Sequence, residues 1–260
     1  MKKNFLICGI LALSAFIFSS CDEDENTGSD EKVSQVKRLV SSTFQTKAMD
    51  SETKEHVTII QDFNYEYDAE GRLVKISDNI KDYKEVFDYK KLVKTSVLDG
   101  TDIEIGKLNA NGTIVSDSAV NGNYQKEYSY DESGHINYSS SLFIKDEENS
   151  NRYSYSYTWT DGNIVSCKMM DGGIHNGAAM ELGIYDYKYE YVNETVTTPI
   201  ENKTGLVFLF DSVLNFSPAY GAGTRNLPVK VNGQNIQWTL DDGYPVKVVT
   251  GNATATFMWK

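Results

Sequence analysis

The sequence is poor in most of what catalysis and metal binding draw on. Its 260 residues hold three cysteines, three histidines, three tryptophans and four prolines. The histidines, His56, His135 and His175, lie far apart in the chain. There is no His-Glu-x-x-His, no Gly-x-Ser-x-Gly elbow, no phosphate-binding glycine loop with its lysine, and no cysteine pair spaced for zinc. No cofactor, metal site or catalytic residue is therefore assigned. Cys167, among Val165, Ser166, Lys168 and Met169, has no adjacent base to activate it and reads as an inert thiol. Basic residues are also scarce, 25 Lys and Arg against 37 Asp and Glu, for a net charge of -12. Nucleic acid and anionic headgroups both require a basic face, so neither is an expected partner. The acidic residues fall mainly in turns and on polar strand faces, where so many would fall anyway, and no glycosidase pair stands out.

What is present begins at the N-terminus. Lys2 and Lys3 precede an apolar run over 5–18, interrupted only by Gly9 and Ser14. That run is too short to span a bilayer and reads as a cleaved export signal. Phe18-Ser19-Ser20-Cys21 then resembles the lipobox of bacterial lipoproteins, with Phe18 standing where Leu or Val is usual. The resemblance implies cleavage after Ser20 and a lipid on Cys21. Losing Lys2 and Lys3 with the signal takes the charge from -12 to -14. Cys8 leaves with the signal and Cys21 takes the lipid, so Cys167 has no intramolecular disulfide partner. Residues 21–35 open with Asp22, Glu23, Asp24 and Glu25, and have nothing to bury; they form an acidic, disordered tether. Asp22, Asp24 and Asn26 alternate like the start of an EF-hand loop, but the glycine is Gly28 and position twelve is Val33, so the closing bidentate ligand is missing. An acidic run after the lipidated cysteine also resembles the signal that sends some lipoproteins to the outer face of the outer membrane.

From 36 to 260 the chain reads as one antiparallel β domain. Period-two alternation sets Phe63, Tyr65 and Tyr67 against Asn64, Glu66 and Asp68. It likewise sets Tyr124, Lys126, Tyr128 and Tyr130 against Gln125, Glu127, Ser129 and Asp131. Two further stripes are Tyr153, Tyr155, Tyr157 and Trp159, and Tyr185, Tyr187, Tyr189 and Tyr191. Asn-Gly and Asp-Gly pairs at 99, 111, 121, 161, 232 and 242 fall between these runs and favour tight hairpins, so sequential strands pair with their neighbours. The fold class is all-β, a long up-and-down meander curling into an open or closed barrel. The segment 205–216, Gly-Leu-Val-Phe-Leu-Phe-Asp-Ser-Val-Leu-Asn-Phe, breaks the alternation and reads as a short buried helix or plug.

A recurring unit runs through the domain: an aromatic residue, polar residues, a glycine, then an aliphatic strand. It is clearest in Tyr65-Glu66-Tyr67-Asp68-Ala69-Glu70-Gly71-Arg72-Leu73 and in Tyr128-Ser129-Tyr130-Asp131-Glu132-Ser133-Gly134-His135-Ile136. The first copy looks like the Tyr-Asp repeat of large Rhs-type shell proteins. Together with the lipobox, the chain length and Leu227-Pro228 before the closing strands, the arrangement resembles a family of bacterial lipoproteins of unknown function. That resemblance implies a porin-like antiparallel fold and supplies no catalytic residue.

The reading that follows is a non-catalytic lipoprotein of the cell envelope. It is held to the outer membrane through Cys21, faces the periplasm or the cell surface, and binds or scaffolds a glycan or an envelope protein. If a ligand surface exists, its residues are Tyr153, Tyr155, Tyr157, Trp159, Tyr185, Tyr187 and Tyr189, because tyrosine and tryptophan stack on sugars. The competing explanation is that tyrosine is simply a good strand residue. Two alternatives are a surface lipoprotein that binds or hydrolyses glycans, and a transmembrane barrel. Against the barrel stand Glu127, Lys188 and Glu190 opposite the tyrosines and Lys126 among them, which leave no continuous apolar band.

Overall fold

The computed structural model describes residues 37–260 except 50–55, 79–81, 211–214, 217–218 and 252. The export signal, Cys21 and the tether lie outside the described residues. The chain runs through β1 (Leu39–Met49), β2 (His56–Tyr67), β3 (Leu73–Asp78), β4 (Lys84–Asp88), β5 (Val93–Leu98), β6 (Thr101–Leu108) and β7 (Ile114–Ala119). It continues through β8 (Tyr124–Tyr130), β9 (Ile136–Ile144), β10 (Ser150–Thr160), β11 (Asn163–His175) and β12 (Ala178–Glu190). Four short strands follow: β13 (Ile200–Glu201), β14 (Phe208–Leu209), β15 (Asn215–Phe216) and β16 (Asn226–Leu227). The last four are β17 (Lys230–Val231), β18 (Gln234–Asp241), β19 (Tyr244–Thr250) and β20 (Ala253–Trp259). All described strand pairs are antiparallel, and β1 to β12 with β17 to β20 close into a barrel of 16 strands. Closure comes from β1 pairing with β20, Phe44 opposite Ala255, and from one N–H···O bond in each direction between Arg38 and Lys260.

The hairpins explain the repeat. Asp68, Asn109 and Asp131 each accept a backbone N–H from the residue four further on, at 2.8–3.1 Å. In the same three loops Gly71, Gly112 and Gly134 donate back to the carbonyl of that Asp or Asn, at 2.9–3.0 Å. These glycines have φ of 80–84°, a region that side chains avoid, which fixes glycine at that place in the unit. Each loop is followed by a register shift, for instance between Ser129 and Tyr130 opposite Tyr138 and Ile136. The extra residue bends the strand into the barrel.

The aromatic stripes face the interior. Tyr65, Tyr128, Tyr157 and Tyr189 are buried beside Leu73, Ile114, Ile136 and Ile164, and residues that alternate with them, such as Glu66, Glu127 and Lys188, are exposed on the outer wall. Along one rim the aromatic residue that ends a strand hydrogen-bonds the carbonyl at the start of the preceding one. Tyr67 donates to Leu39 O, Tyr89 to Leu73 O, Tyr130 to Ile114 O and Tyr191 to Ile164 O, at 2.6–2.9 Å. The indoles of Trp159, Trp238 and Trp259 reach Ile136 O, Pro228 O and Pro245 O at 2.6–2.7 Å. The ring is interrupted at β6, which ends in Leu108, buried itself.

The segment between β12 and β17 closes this same rim. Phe208 is fully buried and meets Trp238 and Phe257 edge-on, at ring-centroid distances of 5.1 and 6.0 Å. The plug expected at 205–216 is thus present, but its described residues are extended, with Phe208 paired to Phe216 across β14 and β15. A helix would satisfy its own backbone; here Asn202 does that work, its side-chain amide donating to Leu206 O and Thr224 O at 2.8 Å. Residues 219–226 are held to two hairpin turns: Ala222 N–H bonds Gly134 O at 2.9 Å and Arg225 N–H bonds Gly162 O at 2.7 Å.

The wall is uneven. β12 is joined to β17 by only two residue pairs, Tyr189 with Val231 and Glu190 with Lys230. Among the described residues, 178–187 of β12 have no strand along that edge. The plug lies at one rim, and the wall is notched beside β12 toward the other.

Candidate functional site

Register places a row of inward side chains around the inside of the wall. Through successive ladder pairs it runs Phe87, Lys94, Gly106, Asp117, Lys126, Ser141, Tyr153, Asp171, Gly183. Four of its members are charged, Lys94, Asp117, Lys126 and Asp171, and three are small, Gly106, Ser141 and Gly183.

Its first half is an ionic cluster inside the barrel. Lys94, with a side chain 3% exposed, lies 2.9 Å from Asp117 Oδ1, 3.6 Å from Glu85 and 3.9 Å from Glu104. Burial pulls the lysine pKa down, but Glu85, Asp117 and Glu104 together outweigh that and hold the ammonium above its ordinary value. Burial raises Glu104, against the pull of Lys94. Tyr83 donates to Glu85 at 2.7 Å and Ser96 to Glu104 at 3.3 Å. Gly106 makes the cluster possible, because a Cβ there would strike Asp117 Oδ1. Lys126 holds its ammonium 5.2 Å from the Tyr128 ring.

The second half gathers the tyrosine stripes. Tyr153, Tyr155, Tyr157 and Trp159 sit on β10 and Tyr185, Tyr187 and Tyr189 on β12, with β11 between them. Ladder pairing sets Tyr157, Cys167 and Tyr187 side by side, then Tyr155, Met169 and Tyr185, then Tyr153, Asp171 and Gly183. All seven candidates therefore share one lumen wall, but they divide by role. Tyr157 and Tyr189 are buried in the core. Trp159 is committed to the Ile136 carbonyl and stacks on His135, ring centroids 4.1 Å apart. Tyr185 is 50% exposed although it faces inward, beside the notch along β12. Cys167 is fully buried.

Toward the unplugged rim, Phe143 packs against Tyr124 at 4.8 Å and Tyr153 at 6.0 Å, yet stays 46% exposed. With Asn123, Asn149, Asn151 and His175, Tyr124 and Phe143 line a cavity of about 460 Å³. Aromatic faces beside amides are what a soluble, hydroxyl-rich ligand requires. Phe143, Tyr124 and Asp171 were not among the ligand-surface residues expected from the sequence. Besides the tyrosine stripes, the sequence marks this wall with glycines inside strands, such as Gly106 and Gly183, which allow close approach rather than turns.

Among solved structures, the chain is similar to a porin-like protein from Bacteroides uniformis ATCC 8492. The TM-score is 0.56 at 12% identity, covering 85% of this chain and 98% of that one. A porin-like protein from Bacteroides vulgatus ATCC 8482 gives 0.49 at 15% identity over 86% and 99%. At such identity the likeness is one of fold, and it agrees with the antiparallel barrel expected from the sequence. No protein-family profile and no curated protein sequence matches the chain.

Proposed function

We propose that the chain is a non-catalytic receptor cup of the bacterial cell envelope, lipid-anchored to the outer membrane at Cys21, whose lumen takes up a soluble ligand. The observation that carries this reading is the inward yet exposed pair Tyr185 and Phe143. A barrel interior that were only a core would cover them. The outer wall supports a cup standing in water. Glu127 on β8, together with Asp186, Lys188 and Glu190 on β12, is exposed there, and each Lys at mid-bilayer would cost about 2–4 kcal/mol. Outward apolar residues such as Ile105, Ile184 and Met258 stand among them without forming a band.

Saccharide is the favoured ligand class, because Tyr124 and Phe143 stand beside Asn123, Asn149 and Asn151. The test is a glycan array with the mature protein, followed by Phe143→Ala. We expect array binding that this substitution weakens at least tenfold, about 1.4 kcal/mol. Binding unchanged by the substitution would move the site elsewhere. The anchor is tested by mass spectrometry: an acylated Cys21 is expected, and an unmodified one would remove the lipid from the account.

A further inference from the structure

We propose that Asp171, between Tyr153 and Tyr185, is a lumen site for an organic ammonium group, and that the ligand is a saccharide bearing a free amine; this rests on reading the lumen as a saccharide receptor. Asp171 shares the inward face of β11 with buried Cys167 and is flanked on the ladder by Tyr153 and Gly183. Its Oδ1 is covered by protein, and no described residue hydrogen-bonds to it. The other carboxylate of the row, Asp117, faces a cation: its Oδ1 lies 2.9 Å from Lys94 Nζ, which Glu85 and Glu104 of a neighbouring row also approach.

The nearest cation on the row is Lys126, three strands away through Ser141 and Tyr153, on the order of 14 Å between backbones at normal strand spacing. Lys168 is on β11 itself, but on the opposite, outer face. A folded protein rarely leaves a carboxylate oxygen covered and unanswered, and such groups mark places where a ligand completes the set.

The surroundings select the kind of cation. A hard metal ion needs several oxygens, whereas one carboxylate among aromatic faces suits an organic ammonium, which takes one charge-assisted hydrogen bond and lays its CH surface on the rings. Gly183 lets the Tyr185 ring and Asp171 Oδ1 approach each other over its backbone: a Cβ there would lie 3.0 Å from the Tyr185 hydroxyl and 3.1 Å from Asp171 Oδ1. The half-exposed Tyr185 ring borders this point, and its swing aside would open the covered oxygen to an ammonium.

The test compares three probes on the mature protein by calorimetry: a glucosamine tetramer, its N-acetylated counterpart and n-butylammonium. The proposal expects the free amine to bind about tenfold more tightly than the amide, a preference that Asp171→Asn reduces to about one while neutral binding persists. Equal binding of both tetramers by wild type and Asp171→Asn would overturn the ammonium site and leave the saccharide reading standing. Asp171-dependent binding of n-butylammonium, with neither tetramer bound, would keep the site and overturn the saccharide. Binding of none would overturn both. Should Asp171→Asn not fold, the wild type still decides: n-butylammonium must shift the carboxyl ¹³C resonance of Asp171, and an unmoved resonance contradicts the proposal.

Discussion

Trp159 does two structural jobs at the plugged rim. Its indole N–H satisfies the Ile136 carbonyl at 2.7 Å, and its ring covers His135. Trp159→Phe keeps most of the ring and removes the donor, leaving a carbonyl in a buried stretch without its partner. We expect a loss of about 1–3 kcal/mol in denaturant unfolding with no effect on ligand binding. A loss of binding at unchanged stability would return Trp159 to the ligand surface. Asp131 shows how a single turn residue sets pH behaviour. Burial is the largest single influence on its pKa and raises it, but the His135 backbone and ring, with the Ser133 backbone, together overcome that and lower it. Its contribution is present above the unfolded value near 3.9 and is lost as pH falls through the folded one. Asp68, Asp88 and Asp146 are lowered in the same sense in other turns, each with backbone N–H donors. Asp131→Asn keeps the acceptor and discards the charge. Thermal unfolding should change by no more than about 1 kcal/mol at neutral pH and become less sensitive to acid. An unchanged acid limb would show that this turn does not report on folding.

At the scale of elements, the hairpins were legible from the sequence and the wall's irregularities were not. Asp68, Asn109 and Asp131 stand three residues before Gly71, Gly112 and Gly134, and this local spacing dictates local geometry whatever lies around it. The plug was half legible. The apolar density of 205–216 announced burial, but an extended backbone there is imposed by Asn202 and by pairing with 215–216, contacts that no local pattern encodes. The closing step, β12 on the two-residue β17, was invisible for the same reason. Phe208 is the anchor of the plug, fully buried against Trp238 and Phe257. Phe208→Ala should cost about 3–5 kcal/mol and speed amide exchange across β13 and β16, which it helps hold at the rim. Protection unchanged there would mean the stitching of Ala222 and Arg225 to the turns suffices alone.

For the whole molecule, the sequence showed tyrosine stripes with a wet opposite face, and the barrel shows which way each faces: the rings line the lumen, and charges coat the outside except for the Lys94 cluster, Lys126 and Asp171 within. Sixteen strands enclose more space than side chains readily fill, so the interior divides into a packed, plugged end and a lined, open part. Asp171 and the Lys94 cluster could not be read from the chain, because β4 to β12 must be in register before their residues meet. The cluster makes a separate prediction. Lys94→Met leaves Glu85, Glu104 and Asp117 facing one another inside the wall, and should cost about 3–5 kcal/mol. A neutral result would mean that solvent reaches all three.

The claim on which the rest depends is that the lumen beside β12 is open to water. A charged thiol reagent tests it directly on Tyr185→Cys, with the fully buried Cys167 as internal control. The account predicts fast, stoichiometric labelling at 185 and none at Cys167 in the folded protein. Equal protection of both positions would contradict it, and the barrel would then be a sealed core rather than a cup.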